Sequence, residues 1–141
     1  LRSDIIKIAG LLSSGMNVAF FPEATSSDGT SVLPFKCALF EAARIADAEI
    51  QPLSIQYSNG KKACYYGDMS FFAHMINLIS LRKIYAAIHW FEPIRFNNMT
   101  SREMAIHCRN LIISHLSQSS PDCNTNVTLA DYIYKCKLAS N

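Results

Sequence analysis

The sequence lacks the features that mark several large classes of protein. No apolar run reaches the roughly 18 to 20 residues that span a bilayer, and no signal-peptide pattern opens the chain. The formal net charge is only +2, without an arginine-rich stripe or a ladder of aromatic residues. We therefore expect the chain to cross no membrane by itself and to bind no nucleic acid.

A disulfide framework and a structural zinc site are also missing from the pattern. The cysteines number five, are irregularly spaced and form no Cys-x-x-Cys pair. An odd number of widely separated thiols is typical of a reducing, cytosolic compartment. The sequence therefore predicts no metal site and no disulfide at the five positions, which are Cys37, Cys64, Cys108, Cys123 and Cys136.

Two common catalytic motifs fail on inspection. Gly10 and Gly15 have the spacing of a phosphate-binding P-loop, but Met16 stands where that loop needs lysine, and the glycines precede an apolar run that is a candidate strand. No Gly-x-Ser-x-Gly nucleophile elbow occurs. Neither a P-loop nucleotide hydrolase nor a serine hydrolase is indicated.

The composition is that of one globular domain with a core. Of 141 residues, 50% are hydrophobic and 17% are charged. Helical spacing of apolar residues alternates with short apolar runs, and Thr100 with Glu103 forms a capping box for the last helix. The predicted helices are residues 1–15, 33–48, 70–81 and 100–116, and the predicted strands are 17–21, 49–57 and 82–94, the last nearly fully buried.

This alternation predicts an α/β fold, layered, with a largely parallel or mixed sheet flanked by helices. Because the chain opens on Leu1 already within a helical pattern, we expect an incomplete domain, a piece of something longer. Residues 1–118 are assigned to that domain and residues 119–141 to a loosely packed, polar tail with at most a short helix near Tyr132. In such sheets, ligands bind beyond the carboxyl ends of the strands, which is where the segment after 17–21 lies.

That segment, FFPEATSSDG, contains polar groups suited to a ligand. Pro22 fixes φ as the strand ends, Glu23 supplies a carboxylate, and Thr25 and Ser26 supply hydroxyls. The small side chain of Ala24 allows a ligand to approach the backbone, and Asp28 with Gly29 predicts a turn. The segment is either a binding loop for a polar or phosphorylated head group or a connection whose Glu and Ser cap the next element.

The same segment resembles a family signature. Phe21-Pro22-Glu23-Ala24-Thr25 is similar to the Phe-Pro-Glu-Gly-Thr block of the glycerolipid acyltransferases, the PlsC-type family of 1-acylglycerol-3-phosphate acyltransferases. Further similar blocks follow in the family's order, so that the resemblance spans roughly residues 5–118. These blocks are LPFK at 33–36, IQPL at 50–53, YGDMSFFAHMINLISL at 66–81, IHWFEPI at 88–94 and TSREMA at 100–105.

The resemblance implies a lysolipid O-acyltransferase of phospholipid biosynthesis, without a cofactor. It would transfer an acyl chain from acyl-CoA or acyl carrier protein to 1-acylglycerol-3-phosphate, in peripheral contact with the cytoplasmic face of the membrane. Carried over by position, Glu23 orients the acceptor, Ala24 leaves room, Thr25 adds hydrogen bonds and Pro52 shapes the wall of the site. Lys36 is either a cationic contact to a head group or donor phosphate, or a solvated lysine. The substrate-binding residues predicted in this way are Pro22, Glu23, Ala24, Thr25, Ser26, Lys36 and Pro52.

The chain departs from the family pattern in its catalytic block. The family's general base lies in a His-x-x-x-x-Asp block, but five positions after the four histidines, His74, His89, His107 and His115, stand Ile79, Ile94, Ile112 and Ser120. We therefore assign no catalytic residue and predict that this chain alone is inactive.

Two further departures lie within the signature itself. Ala24 replaces a glycine, which is costly if the position needs positive φ. Ser26 replaces the arginine of phosphate-reading members, as in members that acylate lyso-ornithine lipids. A lyso-ornithine lipid acyltransferase and a non-catalytic lipid-binding remnant therefore remain alternatives. The apolar segment 70–81 either lines an acyl groove or forms an ordinary core helix.

Overall fold

Four helices and a two-stranded sheet form the part of the chain that this computed structural model describes, residues 2–57 and 62–118. The fold is mixed α/β, and each of the four predicted helices is present. The predicted tail, residues 119–141, and most of the predicted loop after residue 57 lie outside the described residues. The elements are α1 (Arg2–Ser13), α2 (Ala38–Ile45), β1 (Leu53–Tyr57), α3 (Phe71–Ser80), β2 (Ala86–Trp90) and α4 (Ser101–Gln118).

The core lies where α2 packs against α1 and α4. Phe40 of α2 and Met104 and Cys108 of α4 are its largest fully buried side chains. Burial in this apolar cluster raises the pKa of the Cys108 thiol to about 11, so Cys108 is an inert core residue at neutral pH. Ile50 and Phe96 extend the cluster to the base of the sheet.

The ends of two helices follow from local chemistry that the sequence predicts. Gly15 takes a φ of +85° just after α1, a left-handed conformation that glycine adopts without steric cost. At the start of α4, the Glu103 carboxylate accepts hydrogen bonds from the backbone N–H and the hydroxyl of Thr100, both at 2.8 Å. The capping box is therefore present as predicted.

Helix α2 begins later than the sequence predicts, at Ala38 instead of near Pro34. The backbone N–H of Lys36 donates to the Pro22 carbonyl at 2.8 Å, which ties this stretch to the preceding loop. Phe35 lies before the helix and stacks on Phe40 with a ring centroid distance of 6.3 Å. The first residues of the predicted helix therefore close a loop.

Among the described residues the sheet is antiparallel, and it does not show the largely parallel or mixed arrangement that the sequence predicts. Strands β1 and β2 pair antiparallel, with Leu53 opposite Trp90 and Tyr57 opposite Ala86. Beyond them, Ile50 and Ile94 form an isolated bridge with reciprocal N–H···O distances of 2.9 and 2.8 Å. Pro52 lies between bridge and strand, and its carbonyl accepts from the Phe91 N–H at 3.0 Å.

The predicted strand at residues 17–21 is wrong: the segment belongs to no strand among the described residues. Phe20 instead packs edge to face on Phe40, with ring centroids 5.2 Å apart. The apolar character of this segment therefore reflects an anchor in the core, which a short apolar run does not distinguish from a buried strand.

The near-complete burial predicted for β2 is also wrong. Residues paired across the ladder share a face, and one face carries Ile55, Tyr57, Ile88 and Trp90, which we call the apolar ribbon face. Ile88 is 48% exposed and Trp90 is 41% exposed. On the opposite face, His89 stacks on His115 of α4 at a centroid distance of 3.8 Å. Within the described residues, α4 therefore contacts the more polar face of the ribbon.

Candidate functional site

The family signature lies in a loop, residues 21–36, that is closed at its base. We call it the Glu23 loop. Phe20 directly precedes the loop, Phe35 lies near its end, and both rings contact Phe40. Between them, the Lys36 N–H donates to the Pro22 carbonyl. One aromatic side chain of α2 therefore anchors both ends of the loop, as in compact loops whose ends meet.

The signature itself forms a tight turn. The Ala24 N–H donates to the Phe21 carbonyl at 3.1 Å, which places Pro22 and Glu23 at the two central positions. Proline presets φ for the first of these positions. Ala24 then takes a φ of +55°, a left-handed conformation that a side chain makes costly. This backbone therefore favours glycine, which stands at this place in the Phe-Pro-Glu-Gly-Thr block that the segment resembles.

The Glu23 carboxylate braces the loop from within. Its Oε2 accepts a hydrogen bond from the Leu33 N–H at 3.0 Å, in a half-buried setting. Helix α2 has no side-chain cap at its start. Glu23 therefore does not cap this helix, although one alternative from the sequence was that it does. Among the described residues, no partner is found for the other carboxylate oxygen, Oε1, which leaves that oxygen available to a ligand hydroxyl or amine.

Arg109 of α4 holds the same peptide from the other side. Its Nε donates to the Leu33 carbonyl at 2.9 Å and its Nη2 donates to the Val32 carbonyl at 2.6 Å. The Leu33 peptide is thus fixed at its N–H by Glu23 and at its carbonyl by Arg109. Sequence reasoning missed Arg109, because nothing local distinguishes it from a solvated helix arginine and its partners are 76 and 77 residues away.

The tip of the loop contains the predicted turn. The Asp28 Oδ1 accepts from the Thr30 N–H at 3.0 Å and from the Thr30 hydroxyl at 2.6 Å, and Gly29 has a φ of +74°. The Cβ that a substitution of Gly29 would add lies 3.3 Å from the Cys64 sulfur, so this position is closely packed as well as left-handed. The prediction of an Asp28–Gly29 turn is confirmed.

Two shallow cavities adjoin this tip. One of about 230 Å³ is lined by Asp28, Gly29, Thr30, Ile55, Gln56, Tyr57, Cys64 and Leu116. The other, of about 330 Å³, is lined by Thr30, Ser31, Val32, Arg109, Ile113, Leu116 and Ser117. None of the substrate-binding residues predicted from the sequence lines either of these two cavities.

The predicted residues themselves fall into two groups. Pro22 and Glu23 are half-buried, and the backbone of Lys36 meets Pro22 at the base of the loop. Ala24, Thr25, Ser26 and the Lys36 side chain are exposed beside them. Pro52 is buried at the start of β1. The structure thus brings all but Pro52 together in the Glu23 loop, and their roles in binding stay predictions.

Other titratable groups offer little chemistry in the described part of the chain. No group of three or more His, Cys, Asp or Glu residues there could hold a metal ion. His74 is buried beside the Tyr65 ring, at a centroid distance of 5.4 Å. Burial, together with the neighbouring charge of His89, lowers the pKa of His115. These histidines pack against aromatic rings.

Comparison with known proteins assigns the class. Residues 2–56 match the family model described as Acyltransferase. The chain is 32% identical over 120 residues to a lyso-ornithine lipid O-acyltransferase of Rhodobacter capsulatus, covering 77% of this chain and 44% of that protein. It is 36% identical over 77 residues to a 1-acyl-sn-glycerol-3-phosphate acyltransferase of Neisseria gonorrhoeae, covering 52% of this chain and 30% of that protein. No solved structure matches.

The signature, the loop that contains it and the named relatives together assign the chain to the acyltransferases. More particularly, the chain belongs to the PlsC-type glycerolipid acyltransferase family, with relatives of both the acylglycerol-phosphate and the ornithine-lipid kind. The chain spans less than half the length of these relatives, at 44% and 30%.

Proposed function

We propose that this chain is the acceptor-binding part of a lysolipid O-acyltransferase that uses 1-acylglycerol-3-phosphate as acceptor and acyl-CoA or acyl carrier protein as donor. The observation that carries the proposal is the Glu23 loop, in which Glu23 accepts from Leu33 and Arg109 holds the Val32 and Leu33 carbonyls, while Oε1 of Glu23 has no partner in the described part of the chain. The names of the relatives supply the reaction class.

In this reaction, the acceptor hydroxyl oxygen bonds to the acyl carbonyl carbon, and the carbon–sulfur bond of the thioester breaks. The hydroxyl proton passes through a general base to the departing thiolate. The His-x-x-x-x-Asp block that the family resemblance implies for this base is absent from the 141 residues. The proposal therefore gives this chain the task of orienting the acceptor, with Glu23 accepting from its polar head.

The two candidate acceptors differ in their head groups. Ser26 offers no cation to a phosphate monoester, which favours a lyso-ornithine lipid as the second candidate. Lys36, whose backbone is tied to Pro22, is the cation closest to the signature along the loop and could replace the missing arginine. We therefore expect a phosphate acceptor to depend on Lys36 more strongly than an ornithine acceptor, whose head group carries an amine as well as a carboxylate.

The proposed place of action is the cytoplasmic face of the membrane, in peripheral contact with it. None of the helices in the described ranges is long and apolar enough to cross a bilayer. The lipid acceptor supports this location.

The test is acylation by the full-length protein with the two acceptors side by side. Glu23→Gln keeps an oxygen that can accept from Leu33 but loses the charge, so we expect kcat/KM to fall about 10- to 100-fold. Glu49→Gln, at an exposed ion pair with Arg95, is the matched control and should leave kcat/KM unchanged.

Lys36→Gln separates the acceptors. We expect it to raise KM for 1-acylglycerol-3-phosphate more than KM for lyso-ornithine lipid, with Lys7→Gln on α1 as control. Turnover of lyso-ornithine lipid but not of 1-acylglycerol-3-phosphate would identify the lyso-ornithine lipid as the acceptor. No turnover of either lipid by the full-length protein would refute both enzymatic readings in favour of a non-catalytic lipid-binding remnant.

A further inference from the structure

Helix α3 presents an apolar stripe to solvent. Its members recur at spacings of three and four residues, which place them on one side of the helix. Phe72 is 78%, Ile76 is 67% and Ile79 is 75% exposed. Met75 lies between them, and we call the four residues the α3 face. The sequence left open whether this helix lines a groove or belongs to the core, and in the part of the chain that the structure describes this side of the helix is exposed.

The opposite side of α3 contacts the segment that precedes the helix. His74 is the buried residue of the helix. The Tyr65 ring contacts both His74 and Phe71, with centroid distances of 5.4 and 6.2 Å. The α3 face is directed away from these contacts and is exposed.

Positive charge lies next to the α3 face. Arg82 and Lys83 follow the end of the helix directly, and both are exposed. Between Asp68 and Glu92 the sequence contains no acidic residue. An apolar helix face followed by cations matches the interface of an anionic membrane, where apolar side chains enter the acyl boundary and cations meet phosphates.

We propose that the α3 face docks on an anionic lipid surface, with Arg82 and Lys83 at the head groups. The proposal rests on the proposed function in one respect, since a lipid acceptor is what makes such docking useful. The helix has ten residues, or about 15 Å, so it lies along the membrane surface instead of crossing it. Docking itself requires no turnover and can be measured on this chain.

The test is co-sedimentation of the chain with vesicles of phosphatidylcholine, with and without phosphatidylglycerol. We expect binding to the anionic vesicles that weakens at high salt. Ile76→Asp should lower the partition coefficient at least about tenfold. Its matched control is Ile6→Asp, an isoleucine on α1 that is 61% exposed and should leave binding unchanged. Circular dichroism verifies that each variant is folded.

A second pair of variants tests the charges. Arg82→Gln with Lys83→Gln should weaken binding about fivefold per charge on anionic vesicles and leave binding to neutral vesicles unchanged. Lys7→Gln with Arg102→Gln removes two exposed charges elsewhere and should have less effect.

Three results would overturn the proposal: no binding to anionic vesicles, equal losses in Ile6→Asp and Ile76→Asp, or a dimer in solution that Ile76→Asp separates. Such a dimer would show that the α3 face binds a second copy of the chain. If the full-length protein failed to acylate either lipid while this chain still bound vesicles, the proposed function would fail and the docking surface would stand.

Discussion

At the scale of single residues, Ala24 is a strained position within the family signature. Its φ of +55° carries a steric cost of roughly 1–2 kcal/mol for a residue with a side chain. Removing the side chain relieves part of this steric cost, although glycine loses more conformational entropy on folding. We expect Ala24→Gly to raise the free energy of unfolding by up to about 1 kcal/mol, measured by urea denaturation.

The control for this change is an alanine with ordinary helical backbone. Ala73 lies in α3 and is exposed, so Ala73→Gly should lower the free energy of unfolding by about 1 kcal/mol. Equal destabilisation by both substitutions would show that the left-handed turn is absent in solution.

Arg109 allows a second prediction at this scale. Lysine keeps the positive charge but lacks the planar fork that reaches the Val32 and Leu33 carbonyls together. We expect Arg109→Lys to lower the free energy of unfolding by about 1–2 kcal/mol. Arg102→Lys, on the exposed side of the same helix, should change it by less than about 0.5 kcal/mol. A result of the same size for both would mean that the Glu23 loop is held without Arg109.

The Asp28–Gly29 turn, Ala24 and Arg109 show which features of the Glu23 loop can be predicted from the sequence. The Asp28–Gly29 turn was predicted because the hydrogen bonds from Thr30 to Asp28 join residues only two positions apart. The cost at Ala24 was predicted conditionally, because only the structure supplies its φ. Arg109 could not be found, since its partners are backbone carbonyls at a distant point of the chain and carry no signal of residue type.

At the scale of elements, Glu41 links α2 to the start of α4. Its carboxylate accepts from Arg44 on its own helix at 2.6 and 2.9 Å and from the Ser101 hydroxyl at 2.8 Å. The hydrogen bonds from Arg44, followed by the one from Ser101, lower the pKa of Glu41 from 4.5 to about 2.

A carboxylate whose pKa is lower in the folded than in the unfolded state stabilises the fold above its unfolded pKa. That stability is lost as the pH falls from about 4.5 to about 2. We expect Glu41→Gln to flatten part of the decline in unfolding free energy across this range, measured by denaturation at a series of pH values. The rest of the decline should remain, because hydrogen bonds from Thr100 also lower the pKa of Glu103. Glu49→Gln is the control, and an equal flattening by it would contradict the role of Glu41.

The elements themselves were predicted with uneven success, for physical reasons. The capping box of α4 is local and needs only Thr100 and Glu103. The shortened start of α2 depends on the distant Pro22 carbonyl, and the absent strand at residues 17–21 depends on Phe20 packing on Phe40. An apolar run indicates that side chains are anchored but does not show whether a neighbouring strand pairs with them.

At the scale of the whole molecule, strand direction was the main error. Strands joined through a helix are commonly parallel, yet β1 and β2, with α3 between them in the chain, pair antiparallel. The Ile50–Ile94 bridge continues the antiparallel pairing past Pro52, one residue out of register with the ladder of β1 and β2. Apolar strands in sequence indicate surfaces that require covering, and they do not specify the direction of the partner strand.

The apolar ribbon face gives the last prediction, since it is exposed in the described part of the chain. Exposed apolar patches of this kind bind hydrophobic dyes. We expect the chain to enhance the fluorescence of anilinonaphthalene sulfonate, and Ile55→Thr with Ile88→Thr to reduce that signal. Threonine keeps the β-branched shape that strands favour, so the free energy of unfolding should change by less than about 1 kcal/mol.

Ile6→Thr on α1 is the matched control for this pair, because Ile6 is also an exposed isoleucine but lies outside the ribbon. It should leave most of the ribbon's dye binding in place. A loss of several kcal/mol in the Ile55 and Ile88 variant would show that the face is buried in solution, since the removal of buried methyl groups has a cost that exposed ones do not. Unfolding measured at two protein concentrations would then distinguish burial between copies, which depends on concentration, from burial within one chain.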